Sequence, residues 1–141
     1  MRAAVIIFPG SNRERDVCAA LARASGREPL RVWHRDADLP PNDLIVLPGT
    51  KATVADLAWL RGRGLDAAIA ATSAPVLGIC GGYQMMGRTI TDDVESGNGT
   101  VDGLGWLDVD TTFSPDKLTR QRRGTAMGRR VSGYEIHHGR V

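Results

Sequence analysis

The sequence predicts an α/β fold: one open, mainly parallel sheet with helices on both faces. Three observations carry this reading. Four short apolar runs stand out in the first part of the chain: AAVIIF (3–8), PLRVW (29–33), DLIVLPG (43–49) and PVLGI (75–79). Three of them are nearly continuous in apolar residues rather than alternating, the pattern of parallel strands covered on both faces. Stretches of helical periodicity separate them, so strand and helix alternate as they do in β-α-β units.

Each element has its own justification. A helix is expected from Asn12 to Ser25, where Val17, Ala20, Leu21 and Ala24 recur at three- and four-residue steps. Ser11 or Asn12 can cap its start, and Gly26 suits its stop. A second helix begins near Thr53, carries Val54, Leu57 and Leu60 on one face and ends near Gly62. A third, shorter one runs from about Leu65 to Ala71, and YQMMGR (83–88) is compatible with a fourth. Beyond Gly87 the texture changes. TDDVESGNGTVDG (91–103) is polar and glycine-rich and reads as a loop. LGWLDVDTTF (104–113) is strand-like, SPDKLTRQRRGTAMGRR (114–130) is basic and irregular, and VSGYEIHHGRV (131–141) reads as a last strand. The segment after the polar linker is too short for a core of its own, so 1–141 is expected to form a single domain.

Bulk properties bound the function. Of the 141 residues, 42% are apolar and 24% charged, an ordinary globular balance. A net charge of +2 is too small to imply a nucleic-acid or membrane-surface partner. No apolar run reaches the length of a membrane span, and AAVIIF is too short for a secretory signal. The two cysteines are therefore expected as free thiols in a reducing cytoplasm. No metal site is expected, and no G-x-x-x-x-G-K-[ST] phosphate loop is present.

The chemistry concentrates at Gly78-Ile79-Cys80-Gly81-Gly82, which comes after an apolar run and precedes a helix-compatible one. This is the G-x-nucleophile-x-G elbow with cysteine as the nucleophile. A sharp strand-to-helix turn forces the central residue into an unusual backbone conformation, and its neighbours two before and two after must be small. The side chain then projects over the carboxyl edge of the sheet, where open α/β sheets bind ligands. Amides at the start of the next helix favour thiolate, the reactive form, and the Gly81 amide can stabilise an oxyanion. The competing reading is a buried cysteine packed among glycines. Cys18, beside Val17 and Ala19 in a helix, fits that description better. A second loop, LPGTKAT (47–53), ends another strand at the same edge, and the amides of Gly49 and Thr50 can form the other half of an oxyanion hole. Its competing reading is a plain strand-to-helix turn capped by Thr53.

With these loops, the sequence resembles the class I glutamine amidotransferases, whose fold is flavodoxin-like. From about Asp43 onwards it is similar to the glutaminase domain of the cobyric acid synthase family, through DLIVLPGTKATVADLAWLR, VLGICGGYQMMGR, GLGWLDVDTTF, DKLTRQ and GYEIHHGR. Ligase subunits that amidate cell-wall lipid precursors carry a similar GICGGYQ elbow. Residues 1–49, with AAVIIFPGSNRERDV, VWHRDADLP and DLIVLPG, look like the glutaminase subunit of phosphoribosylformylglycinamidine synthase of purine synthesis. That family continues with a glycine-aromatic stretch after LPG and has asparagine after the nucleophile, whereas here Thr50 comes after Gly49 and Gly81 after Cys80. The resemblance switches near DLIVLPG, which reads as a mosaic of a purine-type segment (1–49) and a cobyric-acid-type segment (50–141).

The resemblance implies a glutaminase half-reaction. Cys80 attacks the side-chain amide of glutamine, forms a thioester and releases ammonia to a synthetase domain or subunit. Gln84, one turn into the helix, binds the glutamine, and Arg120 is a candidate for the substrate carboxylate. A solvated loop arginine among Lys117, Arg122 and Arg123 is the competing reading for Arg120. The domain itself needs no cofactor; ATP and magnesium belong to the partner synthetase. In the family the catalytic histidine comes from a later Tyr-Leu-His-Gly strand end, which this sequence does not reach, so a truncated module is one expectation. Of the three histidines, His137 is the candidate base, with placement of a loop near the site as its competing role; His34 reads as surface or loop. The alternatives are a purine-type glutaminase, a non-catalytic amidotransferase-fold binding module, and a phosphate-binding domain built on PGSN after Phe8.

Overall fold

A computed structural model describes residues 1–33, 36 and 38–141. The elements run β1 (Ala3–Ile7), α1 (Glu14–Ser25), β2 (Leu30–Trp33), β3 (Leu44–Leu47), α2 (Thr53–Gly62), α3 (Leu65–Ala70), β4 (Val76–Gly78), α4 (Gly81–Met85), β5 (Thr89–Asp92), β6 (Gly99–Asp102), β7 (Asp110–Ala126) and β8 (Arg129–Arg140). The first four strands form a parallel sheet in the order β2-β1-β3-β4. This is the expected open α/β architecture. His34 lies outside the described residues.

Successive residues of a strand point to opposite faces. In β1 both faces are buried, which is why its sequence is continuously apolar. Ala4 and Ile6 pack with Ile45, Leu47, Leu57, Leu60, Leu65 and Ile69 on the side of α2 and α3. Val5 and Ile7 pack with Val46 and Cys18, with Val17 and Leu21 of α1 beside them. Each fully buried leucine or isoleucine contributes about 1.5–3 kcal/mol of transfer free energy, so this two-sided packing dominates the fold's stability. Phe8 and Trp59 meet edge to face, with ring centroids 6.4 Å apart, and close the α2 side.

The limits of α2 and α3 lie close to expectation, but α1 starts at Glu14 rather than Asn12, α4 spans Gly81–Met85 rather than 83–88, and the first cap also differs. The residue preceding α1 is Arg13, at φ 64°, with no side-chain cap bond. Ser11 and Asn12 are used elsewhere. The Ser11 hydroxyl accepts the Phe8 N–H at 2.7 Å, and the Asn12 N–H donates to the Gly49 carbonyl at 2.8 Å. Both bonds shape the turn after β1 rather than the helix start. Gly26 does end α1, at φ 70°, its N–H donating to the Ala22 carbonyl.

The second half departs further from expectation. Residues 91–103, expected as a loop, contain the end of β5 and all of β6, an antiparallel pair closed by a tight turn. The buried Asp92 builds that turn by accepting the N–H groups of Val94, Glu95 and Ser96. Residues 114–130, expected to be irregular, belong almost wholly to β7, which pairs with β8 in a long hairpin. The hairpin turns at Met127 (φ 51°) and Gly128 (φ 76°), the positive-φ pair that a two-residue turn requires. Its distal part is exposed on both faces, so no apolar alternation marks it in the sequence. The strand-like run 104–113 splits. Leu104 and Trp106 pack as coil against the core, and their N–H groups donate to the Met85 and Met86 carbonyls; only from Asp110 does β7 begin.

The second sheet has the order β6-β5-β7-β8, with β5 parallel to β7. Arg61 of α2 ties it to the first by donating to the carbonyls of Asp102 and Gly103 at 2.7 Å. No helix among the described residues is long and apolar enough to cross a membrane.

Candidate active site

Cys80 stands between β4 and α4 with φ 50° and ψ −113°, a conformation L-residues avoid. The flanking glycines explain how the chain reaches it. A Cβ on Gly78 would lie 2.6 Å from Tyr83 Cα, and one on Gly82 would lie 2.1 Å from the Leu47 carbonyl oxygen. Neither contact is possible, so the requirement for glycine here is close backbone packing, not positive φ. The turn is closed by the Ile79 N–H to Leu47 carbonyl (2.9 Å), Gly82 N–H to Ile79 carbonyl (3.0 Å) and Gln84 N–H to Cys80 carbonyl (3.0 Å) bonds. These bonds offset the strain, of order 1–3 kcal/mol for such a residue. Cys80 is exposed, whereas Cys18 is 1% exposed in the core.

The loop after β3 comes alongside. A Cβ on Gly49 would sit 3.6 Å from Cys80 Cβ. One on Gly81 would sit 2.7 Å from Thr50 Cγ2 and 3.2 Å from the Thr50 nitrogen. Gly49, Thr50 and Gly81 therefore lie close around the sulfur-bearing residue.

Two cavities share Cys80. One, of 430 Å³, is lined by Thr50, Gln84, Lys117, His137 and His138 among others. The second, of 450 Å³, is lined by Tyr83, Gln84, Tyr134, Glu135 and His137 beside Cys80. Gln84 is buried in α4 at the floor of both, pressed against β8, where a Cβ on Gly139 would fall 2.2 Å from its Nε2. Gly139 thus makes room for Gln84.

His137 lines both cavities with Cys80. Its Nε2 lies 3.0 Å from Glu135 Oε1, while its Nδ1 is buried with no partner. Glu135 also accepts a hydrogen bond from Arg122 Nε across the hairpin. Arg122 first, then His137, holds the Glu135 carboxyl below the ordinary carboxylate range, so it is a stable anion beside the imidazole. His138 points its Nδ1–H at the Ser114 carbonyl, 3.0 Å away, and is tied to the irregularity between Phe113 and Leu118 in β7.

Arg120 is not brought to this place. It is exposed on β7, opposite Glu135 in the register, and lines neither cavity. Arg13, Lys51 and Lys117 are the cations lining the first cavity among the described residues. Sequence reading also missed Glu135 and Asp56. Glu135 stands two residues before His137 in a strand, a spacing that puts both on one face. Asp56 is a carboxylate in the apolar run of α2, 2% exposed. Burial pushes its pKa up, while hydrogen bonds from Thr50 and Gly10 pull it back.

Comparison with known proteins agrees with this geometry. The chain is 54% identical over 145 residues to a cobyric acid synthase of Rhodococcus jostii and 52% identical over 145 residues to one of Frankia casuarinae, each match covering 100% of this chain. Residues 1–49, with their purine-type motifs, lie inside those matches. The chain spans 28% of the length of each of these two relatives. Among solved structures, PurLQS from Thermotoga maritima shares the fold, with a TM-score of 0.60 at 21% identity over 98% of this chain and 66% of that one. The model of the CobB/CobQ-like glutamine amidotransferase domain matches residues 19–141. With an elbow cysteine, paired amide loops and a family match over most of its length, the chain belongs to the CobB/CobQ-like glutamine amidotransferase domain family.

Proposed function

We propose that the chain is the glutaminase module of a cobyric acid synthase. It hydrolyses glutamine and supplies ammonia for amidation of a corrinoid side-chain carboxylate in cobalamin biosynthesis. The observation that carries this is Cys80, held at φ 50° in two cavities that it shares with Gln84 and His137.

Cys80 Sγ gives its proton to His137 and attacks the side-chain amide carbon of glutamine, and the carbonyl oxygen becomes an oxyanion facing the amides of Gly81, Gly49 and Thr50. Collapse of this intermediate breaks the C–N bond. The leaving nitrogen takes a proton from His137 and departs as ammonia, leaving a γ-glutamyl thioester. Water, losing its proton to His137, then hydrolyses the thioester to glutamate and free Cys80. Glu135 holds the imidazole in place through its Nε2. Gln84 binds the substrate amide from the cavity floor, and Arg13, Lys51 and Lys117, which line the first cavity, are the candidates for the carboxylate-binding role expected of Arg120. Activation of the acceptor needs ATP and magnesium, which this reading gives to a synthetase partner that also receives the ammonia.

Ammonia release from glutamine by the chain tests this. Cys80→Ala should lower it by about 10³-fold or more, and His137→Ala by about 100-fold. A glutamine-analogue affinity label should alkylate Cys80 far faster than Cys18. Equal, slow labelling of both cysteines would sink the proposal. Glutamine binding without ammonia release would identify a non-catalytic binding module instead.

A further inference from the structure

A buried carboxylate holds the loop that carries two of the three amides around Cys80. Asp56, in the first turn of α2, is 2% exposed. Its two oxygens each lie 3.2 Å from the Gly10 nitrogen, whose N–H donates to them, and one of them also accepts the Thr50 hydroxyl. Thr50 Oγ1 in turn accepts the Ala52 N–H at 3.0 Å. Gly10 belongs to the turn after β1 and Thr50 to the turn after β3, so one carboxylate grips both. The same two turns are joined by the Lys51 N–H to Gly10 carbonyl bond at 3.0 Å, the Asn12 N–H to Gly49 carbonyl bond at 2.8 Å and an isolated Ser11–Thr50 bridge. There is no slack. A Cβ on Gly10 would fall 2.7 Å from Thr50 Oγ1 and 2.8 Å from Asp56 Oδ2. On its other side the Thr50 methyl abuts Gly81, next to the nucleophile.

Leu57, next to Asp56, and Leu60, one turn further along α2, are buried in the apolar core. Burying a carboxylate there is unfavourable unless its hydrogen bonds are needed. A leucine would serve packing better; it would not grip Thr50. We propose that Asp56 is a positioning residue of the oxyanion hole: through the Thr50 hydroxyl and Gly10 N–H it fixes the Gly49–Thr50 turn so that its amides face the oxyanion formed at Cys80. The inference rests on the glutaminase reading of Cys80, and it reaches the chemistry only through Thr50.

Donors aimed at an oxyanion act on the transition state more than on bound substrate. Asp56→Ala and Thr50→Val should therefore each lower kcat for ammonia release about tenfold to 100-fold, with KM for glutamine within about threefold. Thr50→Ser, which keeps the hydroxyl, should recover most of the kcat lost in Thr50→Val. Alkylation of Cys80 by iodoacetamide displaces iodide at a saturated carbon and builds no oxyanion, so its rate should stay within about twofold in both damaged variants. Wild-type kcat in Asp56→Ala would overturn the inference. So would a parallel loss of kcat and Cys80 alkylation, since that marks general collapse of the elbow. If the wild-type chain releases no ammonia, the glutaminase reading falls and amide hydrogen exchange decides the clamp. In Asp56→Ala the Lys51 amide should then exchange at least about tenfold faster while β1 amides hold their rates. Unchanged exchange at Lys51 would refute it.

Discussion

At the scale of single residues, Cys80 holds a strained backbone conformation and Asp56, under the adjoining turn, a buried carboxyl. Its φ of 50° suits glycine better than any L-residue. Cys80→Gly should therefore be more stable than Cys80→Ala by about 1 kcal/mol, read from urea midpoints, although both are inactive. Asp56 adds a pH signature. Burial raises its folded-state pKa above the ordinary 3.8, so the folded protein holds this proton more tightly than the unfolded chain. Its contribution to stability is then greatest at low pH and falls as pH rises from 3.8 through the raised value. Glu135 and Asp110, whose values are lowered by Arg122 and Arg88 first, act in the opposite sense, losing their stabilisation as pH falls through their depressed values. Thermal midpoints of wild type minus those of Asp56→Asn should therefore fall with rising pH above 3.8; a flat difference would show that the carboxyl is not perturbed.

At the scale of elements, the β7–β8 hairpin contributes chemistry that its sequence conceals. Its proximal end carries His137 and Gly139 to the first sheet, and Arg122 reaches across it to Glu135. Glu135→Gln keeps the shape but removes the anion beside His137. Ammonia release should drop about tenfold, because the imidazole loses the carboxylate that orients it. The hairpin's turn holds an L-residue, Met127, at φ 51°. Met127→Asn should raise stability by up to about 1 kcal/mol in a thermal melt and leave activity alone, since the side chain is exposed and far along the arm. The hairpin was illegible because both faces of its distal part meet solvent, and period-2 patterning arises only where one face is buried. The helices and the first four strands were legible because each buries a face, or two, against its neighbours.

At the scale of the whole molecule, strand order does the assembling. The order β2-β1-β3-β4 sets the carboxyl ends of β1, β3 and β4 side by side, so the turns bearing Gly10, Gly49–Thr50 and Cys80 meet at one edge. The second sheet, joined through Arg61 and the coil at 103–107, then lays β8 across Gln84. What the sequence determined by itself was local: the alternation of strand and helix, the elbow at Cys80, and the facing Gly49–Thr50 turn. Each is written in a few neighbouring residues through apolar period, glycine placement and turn chemistry. Only the tertiary structure decided which distant groups meet them. It placed His137 in the cavities that Cys80 lines, left Arg120 outside, and set Asp56 under two turns that leave different strands. Those choices depend on sheet order and hairpin register, and a one-residue slip in β8 would turn His137 to the other face.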